Sequence, residues 1–427
     1  MKKKTKKYIS KGILFLILAG LVIFCFWFFK GRKLENKPVE NNPSVDNPSK
    51  EDPPVQPDPE NTSYLNHITY TKEIDKEIEK VIVEYMDVYY KSMKELKEYD
   101  MTYLFSNPSG DQAYINQTAI SLLVEIRKLK PNDLTLSSAK YDLNITKTKQ
   151  EGDSITVTVL ENNYLHFNFM KDIESKVYNI ENVFTLKKID GEYKIVKYDK
   201  VQDFFVMVTD KYSSSGKTKL DSIKNEYLTI IKKNVETDKT NYQNFLAGTG
   251  INKKTCDHSY DRDKAKQYAL KWVNKRNPDW IKFDSNCQNY ASQVMYTGGI
   301  PMDIQGKAEL QWKLYSSSYN ANETASGLVY SWTYVPSFRE YAKENKGYGL
   351  CADVDVNLYY AEAGDIIHVG TTGPTRHALV VIGTYKKDDK VVDILVNSNT
   401  VDLENYPMSA YVYPYTSLIK IYGWNNE

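Results

Sequence analysis

The segment FDSNCQNYASQVMYTGGIPM places Cys287 where a helix should begin. Asp284, Ser285 and Asn286 are all residue types that cap helix N-termini, and Tyr290, Ala291 and Val294 recur at the spacing of a buried helical face. Gly298-Gly299 and then Pro301 end the pattern. A cysteine in a first helical turn meets unpaired backbone amides and the positive end of the helix dipole. Both favour the thiolate, which is the nucleophilic form. A nucleophilic thiol needs a base. His377 opens the strand-like run HALVVIG after the turn TTGPTR, and the next such run, VVDILVNSN, ends in polar residues that include Asn397. Adjacent strands would set His377 beside Asn397, with one imidazole nitrogen toward the thiol and the other oriented by the amide, a geometry suited to acyl transfer. The Cys287 amide is the expected first oxyanion donor, and Gln288 and Asn289 are candidates for a second. Trp332 and Trp312 line a cleft or belong to the core. Cysteine is also among the residues most often simply buried, so the reading rests on the three positions together.

Other chemistry fits less well. His368, in GDIIH, has no evident polar partner strand, and His258 with Cys256 is too sparse for a metal site. Only these histidines and His377 lie in the C-terminal part, and no paired ligand motif accompanies them, so neither a metal nor another cofactor is implied. The totals of 56 Lys+Arg and 55 Asp+Glu give a net charge of +1, which argues against a general nucleic-acid binder.

The elements that must position these residues occupy only the last part of the 427-residue chain. Residues 1–33 hold nine basic residues, no acid, and the uncharged run Gly12–Phe29, which reads as an uncleaved transmembrane helix. Six lysines precede it, so the N-terminus is expected in the cytoplasm, with a single pass through the cell membrane and the rest extracellular. Residues 34–62 contain seven prolines and seven acids with almost nothing apolar, the composition of a disordered linker. Residues 63–212 read as an α+β accessory domain. Ile74, Ile78, Ile82, Tyr85 and Tyr89 mark one amphipathic helix, and Ala119, Leu122, Leu123, Ile126 and Leu129 a second that stops at Pro131. Strands follow, with Asp190-Gly191 as a hairpin turn. Residues 213–252 read as a polar helical connector and 253–427 as the chemical domain. Cys256 and Cys351 either pair, tying the start of that domain to the segment before AGDII, or stand as two thiols.

Two resemblances add to this reading. The two helices followed by a strand meander loosely resemble the nuclear-transport-factor-like fold, and that region shows no nucleophile–base pair. In the C-terminal domain, YDRDKAKQYALKW, CQNYASQVMYTGGIPM, SWTYVPSFREYA, AGDII and RHALVVI occur in order from about Ser259 to Gly423. Together they resemble the bacterial "putative amidase domain" family, which is similar to NlpC-type, papain-like cell-wall cysteine hydrolases. The resemblance implies a papain-like α+β fold, Cys287 as nucleophile and His377 as base, with Asn397 where the family usually has a second histidine or another polar residue. It implies an amidase or peptidase acting on peptidoglycan or its stem peptides. Asn286 departs from the aspartate that commonly precedes the family's cysteine; it keeps the capping capacity and loses the charge. The alternative is an inactive anchored module that binds cell-wall polymer or a partner protein, for which the accessory domain offers a surface.

Overall fold

Helical and alternating periods resolve into elements whose ends carry the expected signals. The computed structural model describes residues 63–252, 254–307, 310–314 and 327–427. Asp75 caps helix α1 (Lys76–Glu95), its carboxylate accepting from Glu77 N, and Leu96 closes the helix in the left-handed region. Ile78, Ile82, Tyr85 and Tyr89 are its buried face. That face and helix α2 (Asp111–Leu129) cover a meander of long antiparallel strands. These are β2 (Leu136–Glu151), β3 (Ser154–Phe167), β4 (Ser175–Ile189) and β5 (Glu192–Lys200), with a short β1 (Leu65–Tyr70) parallel to β2. The predicted turn at Asp190-Gly191 joins β4 to β5 with φ of 50° and 90°, the double positive φ that a two-residue hairpin of this kind needs. Beneath the helices Lys200 and Glu161 form a buried ion pair at 2.9 Å, and Tyr90 and Asn182 donate to the same carboxylate. A buried pair tolerates desolvation only when its remaining lone pairs are met in this way.

Helix α3 (Asp203–Leu246) leaves this layer, broken in its helical geometry at Gly216, where φ is 68°. The remaining elements, in chain order, are β6 (His258–Ser259), α4 (Arg262–Trp272), α5 (Cys287–Thr297), α6 (Tyr330–Thr333), α7 (Val335–Glu344), β7 (Gly349–Val356), β8 (Ile366–Gly370), β9 (His377–Lys387), β10 (Lys390–Ser398), β11 (Asp402–Pro407) and β12 (Tyr415–Asn425).

Both sets of strands share one twelve-stranded sheet, ordered β1-β2-β3-β4-β11-β10-β9-β8-β12-β6, with β5 on β4 and β7 on β12. The join is the antiparallel pairing of β11 with β4, Leu403 opposite Val177. This corrects the expected fold class. In place of a transmembrane helix followed by separate nuclear-transport-factor-like and papain-like α+β folds, the described residues form a mixed α/β unit on one large, mostly antiparallel sheet. Among them no helix is long and apolar enough to cross a membrane. The long helices are amphipathic, with charged faces that hydrocarbon would reject. The expected single-pass placement, cytoplasmic N-terminus and extracellular remainder, therefore has no span to rest on among the described residues. The run Gly12–Phe29 and the linker at 34–62 lie outside them.

Several of the quoted sequence motifs turn out to be scaffold. Asp365 of AGDII is fully buried, where Arg262 of YDRDKAKQYALKW (2.9 Å), Lys420 (3.0 Å) and the amide of Ile421 (3.0 Å) meet its carboxylate. Cations from α4 and β12 thus converge on the residue just before β8. Cys256 and Cys351 are disulfide-bonded, settling the pairing that the sequence left open.

Candidate active site

Helix α5 begins at Cys287 with Asn286 at its N-cap position, as the sequence pattern requires. Its first nine residues, Cys287–Met295, are all buried. The polar ones are each matched. Gln288 meets His368, Asn289 Nδ2 donates to Ile281 O, Ser292 donates to Trp332 O, and Gln293 accepts from Tyr268. At its C-cap the helix needs Gly298, because a Cβ there would sit 2.2 Å from the Tyr260 ring. Asn286 makes no side-chain capping bond. Its amide instead donates to Asn399 Oδ1 at 2.6 Å and accepts from Phe283 N and Asn289 Nδ2, while its backbone N–H donates to Thr400 Oγ1 at 2.7 Å. An aspartate could not donate to Asn399, so the departure at this position has a structural use.

His377 starts β9, opposite Val369 of β8. The preceding turn is tight. Gly370 lies so close to Gly373 O that a Cβ would approach within 2.1 Å, and Arg376 N donates to Val369 O. This brings the imidazole to the start of α5, where it acts on the Cys287 thiol. Burial pushes that thiol up. The His377 charge and hydrogen bond, with the backbone N–H groups of Ala378 and Gln288, outweigh burial and leave the thiol below its ordinary value. Cys287 and His377 are only 6% and 5% exposed, so the pair is nearly sealed from bulk water.

The third position is not where the sequence reading put it. Asn397 is fully buried, opposite Val380, and its Oδ1 accepts from Asn405 N at 2.9 Å. The residue beside His377 is Ser398, whose Oγ lies 2.8 Å from Nε2. Because side chains alternate along a strand, the register that sets Asn397 opposite Val380 puts Ser398 on the face shared by Leu379 and His377. The Ser398 hydroxyl also lies 3.5 Å from Ala378 O; toward His377 Nε2 it accepts or donates according to the imidazole tautomer. The sequence reading expected Asn397 beside His377; the neighbour in the structure is Ser398, one residue further on. The pairing register was the missing signal.

The residues proposed around the thiol are brought together as a buried brace. Trp332 is fully buried and donates Nε1–H to Asn289 Oδ1 at 2.9 Å; its indole packs on Trp312 and Trp280. Gln288 Oε1 faces His368 Nε2 at 3.0 Å. His368, set aside at the sequence level, is thus next to the site. Burial, followed by Arg339 and His377, pushes its imidazole down to about 3, so it is a neutral donor to Gln288 at ordinary pH. His258 lies elsewhere, stacked on Trp424 at 3.8 Å. Among the described residues no group of acidic, histidine and cysteine side chains could hold a metal ion.

A thiol, an imidazole and a hydroxyl in a relay at a helix start can carry out acyl transfer. Residues 259–424 match the family described as Putative amidase domain. This stretch is an amidase-like domain. Hydrolysis is its general reaction class, and the limits agree with the motifs read from about Ser259 to Gly423. A Bacillus subtilis (strain 168) protein, Uncharacterized protein YhbB, is 36% identical over 148 residues, 34% of this chain and 42% of that protein. The chain thus spans less than half the length of the curated relative it matches. The crystal structure of a "putative aromatic ring hydroxylase" from Novosphingobium aromaticivorans overlaps 31% of this chain and 94% of its own, with 13% identity and a TM-score of 0.21. That likeness is too slight to carry an argument.

Proposed function

We propose that the amidase-like domain is a thiol hydrolase in which Cys287 is the nucleophile, His377 the general base and acid, and Ser398 the group that orients His377. The placement of His377 against Cys287 at the first turn of a buried helix, where its charge lowers the thiol, carries the reading. With Nε2 engaged by Ser398, Nδ1 is the nitrogen left to exchange a proton with sulfur. Sulfur attacks the amide carbonyl carbon, and the oxyanion draws on unpaired amides of the first turn. Nδ1 then returns the proton to the departing nitrogen, so the C–N bond breaks and a thioester and free amine form. Water adds to the thioester with His377 accepting its proton; the C–S bond breaks, a carboxylic acid leaves and the thiol is restored.

The family resemblance favours an amide of peptidoglycan or of its stem peptides as the bond cut. Digesting purified peptidoglycan with the full chain and with Cys287→Ala, then identifying products by mass spectrometry, tests both levels. New amine and carboxyl ends with the wild type and none with the variant are expected. Equal cleavage by Cys287→Ala would remove the cysteine from the mechanism, and cleavage of other amide substrates alone would remove peptidoglycan.

A further inference from the structure

A sizeable cavity lies away from the thiol. It has a volume of about 510 Å³, is partly open to solvent, and is lined by Lys130–Asn132 after α2, the polar face of α3, residues 355–359 and the start of β12. Its walls are tied together across elements. Asn132 Nδ2 donates to Asp393 Oδ2 at 3.0 Å, Asn357 Nδ2 to Asn241 O at 2.7 Å, and Asn234 Nδ2 to Pro414 O at 2.5 Å. Four charged side chains line it, and two are already committed. Asp393 accepts from Ser409, Asn132 and the amide of Ile394, and Asp355 pairs with Arg339. For the other two, Lys130 and Asp238, no ion pair is found among the described residues; each feels the other's charge, and Asn241 also hydrogen-bonds Asp238.

We propose that this cavity is a binding site for a short peptide or amino acid with both ends free, its carboxylate on Lys130 and its amine on Asp238. Both side chains are half-buried in the wall, and partial burial pushes the Lys130 ammonium down and the Asp238 carboxyl up, so each gains from a ligand group of opposite charge. A ligand with one charge of each sign satisfies both. An uncharged sugar would meet neither, a metal ion would be repelled by Lys130, and a simple anion would be repelled by Asp238. Asn244 and Thr416 add amide and hydroxyl groups for the intervening peptide units. The site shares no lining residue with the Cys287–His377 pair, and the inference does not depend on the hydrolase reading.

Calorimetric titration of the full chain carrying Cys287→Ala tests this, because that variant separates binding from turnover. Trialanine with free ends should bind, while N-acetyl-trialanine and trialanine amide should each bind about tenfold more weakly or worse. Lys130→Met should abolish the preference for the free acid over the amide, and Asp238→Asn the preference for the free amine over the acetylated form. Where thermal unfolding shows either variant misfolded, Lys130→Gln and Asp238→Ser replace them. No binding at millimolar trialanine, equal binding of the blocked peptides, or retained preferences in well-folded variants would each overturn the assignment.

Discussion

At the scale of single residues, the site depends on which strand-end side chain meets His377. Ser398 lies 2.8 Å from Nε2, whereas Asn397 holds Asn405 N. Ser398→Ala should leave folding intact and lower kcat by about tenfold, the worth of one orienting hydrogen bond near 1.4 kcal/mol. Asn397→Ala should leave kcat nearly unchanged while costing about 1–2 kcal/mol of stability in urea unfolding, because a buried backbone donor loses its partner. The reverse pattern would restore Asn397 to the relay. Cys287 and His377 were legible in the sequence because their local signals, a capping run and a strand start, are short-range. The third member was not, because one residue of register decides which face a side chain takes, and register depends on the paired strand and its bulges.

Elements carry the next level of the account. Helix α5, buried through its first nine residues, is braced by the Asn286–Asn399 link and by the Gln288–His368 link. His368 stands on β8, so its protonation would disturb a contact between helix and sheet. Its folded value of about 3 is far below the usual 6.5. The folded state therefore binds fewer protons between those values, and stability falls as pH drops from about 6.5 toward 3. Between pH 7 and pH 4.5 this one group should cost about 2–3 kcal/mol. Urea unfolding at the two pH values should show that His368→Gln loses that difference; an unchanged pH dependence would reassign it to other groups. The helices and the Asp190-Gly191 hairpin were readable from period and turn chemistry. The buried Asp365–Arg262–Lys420 cluster was not, because its members lie far apart in sequence and meet only through the fold.

Over the whole molecule, the accessory strands and the amidase-like domain share a sheet through β4 and β11. Arg127 of α2 donates to Tyr406 of β11 across the same join, at 2.6 Å. Composition and motif order suggested separate folds because neither reports on pairing between distant strands. The Cys256–Cys351 disulfide closes a separation of 95 residues within the amidase-like part. Reduction, or paired Cys256→Ser and Cys351→Ser, should lower stability by about 2–5 kcal/mol in urea unfolding. Hydrolysis measured well below the shifted melting temperature should remain, since the bond lies apart from the thiol site. Loss of activity without loss of stability would instead tie the disulfide to the chemistry.

The central claim is that His377 and the first-turn amides hold Cys287 as a reactive thiolate. The folded thiol is shifted down from its ordinary range, so just below that range the folded form is deprotonated where the unfolded chain is not. The direct measurement is the iodoacetamide alkylation rate of Cys287 against pH, with the modified residue located by mass spectrometry. The wild type should show an inflection below that of the denatured chain. His377→Ala should raise the inflection and slow alkylation about tenfold or more at pH 7. An inflection at or above that of the denatured chain, or a rate unaltered by His377→Ala, would contradict it.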